Sequence, residues 1–372
     1  MTKRILVVED QEDLPGILRD LLTRVRDACG RASCDREKRS GMDTPMTATA
    51  CFPGGQGRVS LFGRLLAIAA ALLMSFSDVA NAAEVGTPVS FESTATGRKE
   101  QIKGYLSFPS TSSKRYPLML IMHASGGIHQ RDWFFARTLN DMGVATFVLD
   151  SFGPRGLKKV YENKRSFSEW EQAIDALTAL EVLQRDERID FKRVGAMGRS
   201  LGGQTAVRLT LQASRDQLPK KGPVLSLALS ITPGCTSQQQ DRRMMPGSQV
   251  RLFLAEKDGS PYQRCVTYVE KMQAAGGDSQ FKLYKDAFHT FDGSAKPVWH
   301  ANEEVYAGCE NDRVNRNFAI RLDTGGALRS KKDWDDFFAS CVKRGMWTGG
   351  NPEAARELDR DWTEVVRRRW LQ

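Results

Sequence analysis

Two uninterrupted apolar runs, PLMLIMH at 117–123 and VATFVLD at 144–150, constrain the fold of this 372-residue chain more than any other feature. Each has the length of a strand and no polar face, so each must be covered on both sides. Between them lies RDWFFARTLNDMG, a helix-like stretch ending at Gly143, and glycine is the usual helix terminator. The rhythm then repeats. Trp170, Ala173, Ile174, Leu177 and Leu180 recur at spacings of three and four, the mark of an amphipathic helix. RVGAMG (193–198), VLSLALSIT (224–232), QVRLFLAE (249–256) and QFKLYK (280–285) read as further strands, and QIKGYLSF (101–108) alternates as a half-covered one. A last helix carries Leu358, Trp362, Val365 and Val366 on one face. Strands separated by helices predict an α/β fold: a mainly parallel sheet with helices on both faces. In such sheets, function gathers at the C-terminal strand ends. The stretch 293–350 breaks the rhythm. It is polar, holds two cysteines and several aromatics, and reads as a cap or insertion over the sheet edge.

The chain ahead of this domain has a different character. Residues 58–83, RVSLFGRLLAIAAALLMSFSDVANAA, place Arg58 and Arg64 before an apolar run from Leu65 to Phe76, with Ala80 and Ala82 after it. A basic start, a short apolar run and an A-x-A ending describe a secretory signal peptide. The run is short for a membrane span, and its alternative is a buried core helix. The expected organisation is a head at 1–57, a signal peptide at 58–83 and a domain at 84–372, exported to the periplasm or beyond. Within the head, ILVV runs into Glu9 and Asp10 and then a helix-like segment. Residues 1–24 resemble the first strand and helix of a response-regulator receiver domain, whose paired acids hold Mg²⁺. The phospho-accepting Asp and later Lys of that family have no room before residue 58, so 1–45 reads as a misplaced start or fusion scar, with Met42 or Met46 as a sensible beginning. Residues 30–57, rich in Arg, Ser, Gly and Thr, read as disordered.

Cysteines and charge narrow the class. Cys29, Cys34 and Cys51 precede the A-x-A site, and Cys235, Cys265, Cys309 and Cys341 follow it. Four cysteines in an exported domain permit two disulfides in three pairings; sequence order favours Cys235–Cys265 and Cys309–Cys341. The spacings lack the C-x-x-C knuckles of a zinc site, so no metal and no cofactor is expected. The net charge of +9 is spread rather than gathered into a stripe, which argues against a nucleic-acid partner.

The chemistry concentrates in GRSLGGQTA (198–206). Gly198-Arg199-Ser200-Leu201-Gly202 is a G-x-S-x-G pattern between a strand and a helix. Ser200 sits on a strained turn, its neighbours must be small, and the Leu201 N–H opens a helix toward any oxyanion formed there. Asp258 in LFLAEKDGSPY and His289 in LYKDAFHTFDG follow in the order nucleophile, acid, histidine, each just past a predicted strand. His289 would take the Ser200 proton, and Asp258 would orient the imidazole; Glu256 and Asp286 are rival acids. MHASGG (122–127) follows the strand PLMLI and would supply the second oxyanion donor, the Ser125 N–H. Each residue alone has a plainer reading: a tight turn for Ser200, a helix cap for Asp258, a structural hydrogen bond for His289. His123 reads as a brace for its loop. Asp150 and Arg155 in DSFGPRG face the same cleft, either shaping a substrate pocket or pinning their loop by an ion pair.

Together, HASGG, LDSFGPRG, GRSLGGQTA, EKDGSPYQRC and AFHTFD resemble the dienelactone hydrolase family of α/β hydrolases over about residues 95–292, with a final helix near 354–371. The resemblance implies the α/β-hydrolase fold with Ser200, Asp258 and His289 as nucleophile, acid and histidine. Dienelactone hydrolases proper carry a cysteine where this chain has Ser200. The expectation is an exported serine hydrolase acting on a small ester or lactone without a cofactor. The alternatives are an acyltransferase or peptidase on the same triad, or a non-catalytic binding module on a hydrolase scaffold.

Overall fold

A computed structural model describes residues 86–372. The receiver-like start with Glu9 and Asp10, the signal-peptide segment 58–83 and Cys29, Cys34 and Cys51 lie outside the described residues.

The chain opens with an antiparallel pair, β1 (Thr87–Ser93) and β2 (Glu100–Ser107). β3 (Tyr116–Met122), α1 (Gln130–Asp141) and β4 (Ala145–Asp150) follow. Every residue of β3 and β4 is buried, as their apolar runs require. Next come α2 (Glu169–Leu183), β5 (Ile189–Arg199), α3 (Leu201–Arg208), the short α4 (Gln212–Asp216), β6 (Leu227–Ile231), β7 (Ser237–Gln239), β8 (Gln249–Ala255), α5 (Tyr262–Ala274) and β9 (Asp278–Tyr284). Ser168 begins α2 through a reciprocal cap with Glu171, which satisfies amides that the first turn leaves open.

Eight strands form one sheet in the order β1-β2-β4-β3-β5-β6-β8-β9, parallel from β4 to β9. This is the α/β-hydrolase fold, as the resemblance implied. Both faces are covered. Trp170, Leu177 and Leu180 of α2, Ala206 of α3 and Val269 and Met272 of α5 pack on one side. Phe135 and Leu139 of α1 pack on the other, with Leu358, Trp362 and Val366 of α7 (Pro352–Val366). The predicted face of that last helix is the buried one; Val365 packs at its margin.

The segment after β9 carries its own structure. β10 (Val298–Val305), β11 (Asn311–Asn315), β12 (Phe318–Arg321), β13 (Ala327–Leu328), α6 (Lys331–Cys341) and β14 (Lys343–Thr348) precede α7. β10 pairs with β14, and β13, β12 and β11 continue onto β7. Polar composition concealed these short strands, and β7, which comes from between two strands of the main sheet, gives no sequence signal of its own. The segment has a separate apolar cluster of Cys309, Ala319, Leu328 and Phe337. Among the described residues two disulfides are formed, Cys235–Cys265 and Cys309–Cys341, the pairing that sequence order favoured. The second joins the turn after β10 to the end of α6. No helix of the described residues is long and apolar enough to cross a membrane.

Trp362 is fully buried, packs edge-on against Phe135 at 5.7 Å and donates its indole N–H to Asp359 at 3.0 Å. Trp362→Ala is therefore expected to cost about 3–5 kcal/mol, read as a lower urea midpoint at unchanged denaturant slope. A loss under about 1 kcal/mol would mean that α7 is not part of the cooperative core.

Candidate active site

The turn that carries Ser200 is built by close packing. Ser200 follows β5 directly and begins α3 with φ 50° and ψ −114°, a strained conformation for a residue with a side chain. Its N–H is held by the Ile231 carbonyl at 2.9 Å, and its carbonyl accepts from Gln204 at 2.9 Å. The glycines around it have no alternative. A Cβ on Gly198 would lie 2.5 Å from the Met122 carbonyl oxygen. One on Gly202 would lie 2.7 Å from the Met122 carbonyl carbon and 3.0 Å from the His123 oxygen. One on Gly203 would lie 2.9 Å from Ser230 Oγ. The first turn of α3 thus rests on the end of β3, with the Leu201 N–H among amides that have no partner within the helix.

The histidine and its acid come from adjacent strand ends. His289 Nδ1 lies 2.7 Å from Asp258 Oδ2, and both side chains are buried, 13% and 6% exposed. The other Asp258 oxygen accepts the Ser260 N–H at 2.9 Å, which fixes the carboxylate. Burial pushes the His289 imidazole down, but the charge of Asp258 and its hydrogen bond outweigh it. The net position is above the ordinary histidine value, with Glu303 also raising it and Lys164 lowering it. The rival acids are engaged elsewhere. Glu256 accepts from the Asp286 N–H, and Asp286 pairs with Lys257 at the surface.

The loop after β3 is equally constrained. Ser125 is buried, its carbonyl accepts the Val160 N–H at 2.7 Å, and Gly127 closes the turn with φ 82°. His123 is fully buried and held neutral by that burial. Its Nδ1 donates to the Ala124 carbonyl at 2.8 Å, and its ring packs on Phe152 at 4.3 Å, a bracing role.

Ser125, Ser200, Leu201 and His289 line a single cavity of about 760 Å³. The segment after β9 forms much of its far wall, through Tyr306, Arg313, Trp334, Phe338 and Met346. Asp150 and Arg155 do not line it. Asp150 caps the turn at 153–155 by accepting from Phe152 and Gly153. Arg155 is buried between Glu100 and Asp175, at 2.6 Å from each, and donates to the Ser151 carbonyl. The pocket-shaping alternative for these two is corrected to loop-pinning, and they do so through separate partners rather than by pairing with each other. Among the described residues no cluster of histidine, cysteine and carboxylate stands ready for a metal ion.

Sequence reasoning missed Arg199, Asp132 and Asp292. Arg199 Nη1 lies 3.5 Å from Asp292, and its Nε lies 4.0 Å from Asp132, in a buried setting behind the nucleophile turn. The available signal was an arginine directly after the apolar stretch 194–198, at the end of β5.

The chain is 31% identical over 121 residues to two uncharacterized proteins of Mycobacterium tuberculosis, strains CDC 1551 / Oshkosh and H37Rv. The match takes in 32% of this chain and spans only about two-fifths, 41%, of each relative. Among solved structures, a thermophilic esterase of Thermogutta terrifontis aligns with a TM-score of 0.43 and 14% identity, over 51% of this chain and 79% of that one. The same esterase with butyrate bound aligns at 0.42 and 12% identity, over 54% and 85%. The family model for the dienelactone hydrolase family matches residues 102–314. That span runs from β2 through β11 and includes Ser200, Asp258 and His289. With more than half of its length matched and the sheet order in place, this chain belongs to the dienelactone hydrolase family.

Proposed function

We propose that the chain is a serine hydrolase that cleaves a carboxylic ester or lactone through an acyl-Ser200 intermediate. The observation that carries this reading is the 2.7 Å Asp258–His289 hydrogen bond, with His289 lining the same cavity as a serine held at φ 50°. With its Nδ1–H given to Asp258, the neutral imidazole keeps Nε2 as its proton acceptor. Ser200 Oγ passes its proton to Nε2 as it bonds to the ester carbonyl carbon. The carbonyl oxygen becomes an oxyanion, received by the N–H groups of Leu201 and Ser125. Collapse of that intermediate breaks the carbon–oxygen bond to the leaving group, which takes the proton from His289. Water repeats the sequence on the acyl-enzyme, releasing the acid and restoring Ser200.

The domain is proposed to run from residue 84 and to work outside the cytoplasm, after removal of the 58–83 segment. Two disulfides support that placement, since such bonds persist in oxidising compartments. Intact mass of the secreted product is expected to match a chain beginning near Ala83; a product retaining residues 1–82 would overturn the export reading.

On a small chromogenic ester, Ser200→Ala is expected to lower kcat by about 10⁴-fold or more, with equal rates ending the serine mechanism. The pH dependence follows from His289. It must be neutral to accept a proton, so kcat/KM rises with pH, and the raised imidazole places the midpoint above about 6.5. Asp258→Asn removes the main raising influence and leaves burial in control, so the residual activity should show its acid limb at lower pH than the wild type. An unmoved limb would mean that another group governs it.

A further inference from the structure

We propose that Arg199 is a positioning residue whose guanidinium holds the nucleophile turn, the oxyanion loop and the histidine loop in one register. The proposal rests on the serine-hydrolase reading above and goes beyond it by assigning a role outside the triad.

The argument is geometric. Arg199 immediately precedes Ser200 and lies outside the cavity lining, so its side chain is not a substrate contact. It enters a buried layer where two fully enclosed carboxylates meet it: Asp292 Oδ1 at 3.5 Å and Asp132 Oδ1 at 4.0 Å. Each carboxylate belongs to a different catalytic loop. Asp132 is the third residue of α1, and its other oxygen accepts the His129 N–H at 2.8 Å, closing the loop that carries Ser125. Asp292 lies three residues after His289, and its other oxygen accepts from Arg131 Nε at 3.3 Å. Arg131 also pairs with Asp359 of α7. One guanidinium therefore stands between the anchors of all three loops, and a second ties that cluster to the last helix.

Stability alone does not account for the cluster. Burying several charges costs as much as it returns, and apolar groups of the same volume commonly do as well or better. The charges in this layer do have one consequence that apolar packing lacks, which is direction. The planar guanidinium of Arg199 faces two carboxylates from different atoms, Nε toward Asp132 and Nη1 toward Asp292, as charge pairs at 4.0 and 3.5 Å rather than as hydrogen bonds, while a lysine ammonium is a single point. Ser200 and His289 come from β5 and from the turn after β9, with β6 and β8 between them in the sheet. Their relative placement must hold to within about 1 Å for proton transfer, and an error of that size costs about 100-fold.

The test is the rate at which a fluorophosphonate probe labels Ser200, together with kcat and KM on a chromogenic ester and thermal unfolding. Arg199→Met is expected to slow labelling by about 100-fold, lowering kcat with KM little changed. Arg199→Lys should recover part of that rate. Arg199→Met combined with Asp132→Asn removes the buried carboxylate that would be left without a cationic partner, since Asp292 keeps Arg131, so it keeps the measurement possible if the single variant fails to fold. It is expected to regain melting temperature while remaining slow. Labelling within about threefold of wild type in either Met variant overturns the proposal. So does recovery of rate in step with melting temperature in the double variant, which would mark a purely structural role. Failure of the wild type itself to react overturns the serine-hydrolase reading and this proposal with it, whereas a reactive wild type with unaffected variants overturns only the role of Arg199.

Discussion

The first turn of α3 approaches the end of β3 so closely that no side chain fits between them. Gly198 and Gly202 both face the Met122 carbonyl, and any Cβ there would overlap it. The rest of the site depends on this contact. It forces the chain to reverse direction within one residue and leaves Ser200 at a positive φ. It also brings the amide-rich start of α3 beside the loop after β3, so the Leu201 and Ser125 peptides border one space. The strain at Ser200 is carried by the hydrogen bond from its N–H to Ile231 and by the buried strands on either side.

Parallel strands supply the second requirement. Because β5, β6, β8 and β9 run in one direction, their C-terminal ends lie along one rim. Residues 58 and 89 positions beyond the serine can then meet it without long excursions of the backbone. Asp258 lies beyond the end of β8 and His289 beyond the end of β9, and adjacent strand ends bring the two side chains into hydrogen-bond contact. The carboxylate is itself fixed by the Ser260 N–H, so the imidazole is oriented by a group that cannot readily turn away.

The segment between β9 and α7 closes the cavity from the other side. It has a small apolar cluster of its own, clasped by Cys309–Cys341 and continued onto β7 of the main body. Its wall is mixed: Trp334 and Phe338 offer apolar surface, and Arg313, stacked on Trp334 at 4.3 Å, offers charge. Burial pushes the Arg313 guanidinium down to about 10, against the raising influence of Glu169, and it stays charged near neutrality. The family fold fixes where bond cleavage takes place, whereas this wall shapes the space that any substrate must fill.

The sequence by itself determined the architecture and which residues fall at each strand end. Continuous apolar runs at 117–123 and 144–150 point to a sheet covered on both faces, and the G-x-S-x-G pattern between an apolar run and a helical one marks a tight turn at Ser200. Those are local facts, carried by residue size and by periodicities of two and 3.6. Sequence order pointed to Asp258 as the partner of His289 with Glu256 and Asp286 as rivals, and only the tertiary structure separated them, by bringing Asp258 within 2.7 Å. It also decided that Arg155 turns to Glu100 and Asp175 rather than to Asp150 or the cleft, and that Arg199 lies between Asp132 and Asp292. These are pairings of charges far apart in the chain, and a charge has no period. Its partner is fixed by the distances that folding creates, which composition and spacing do not encode.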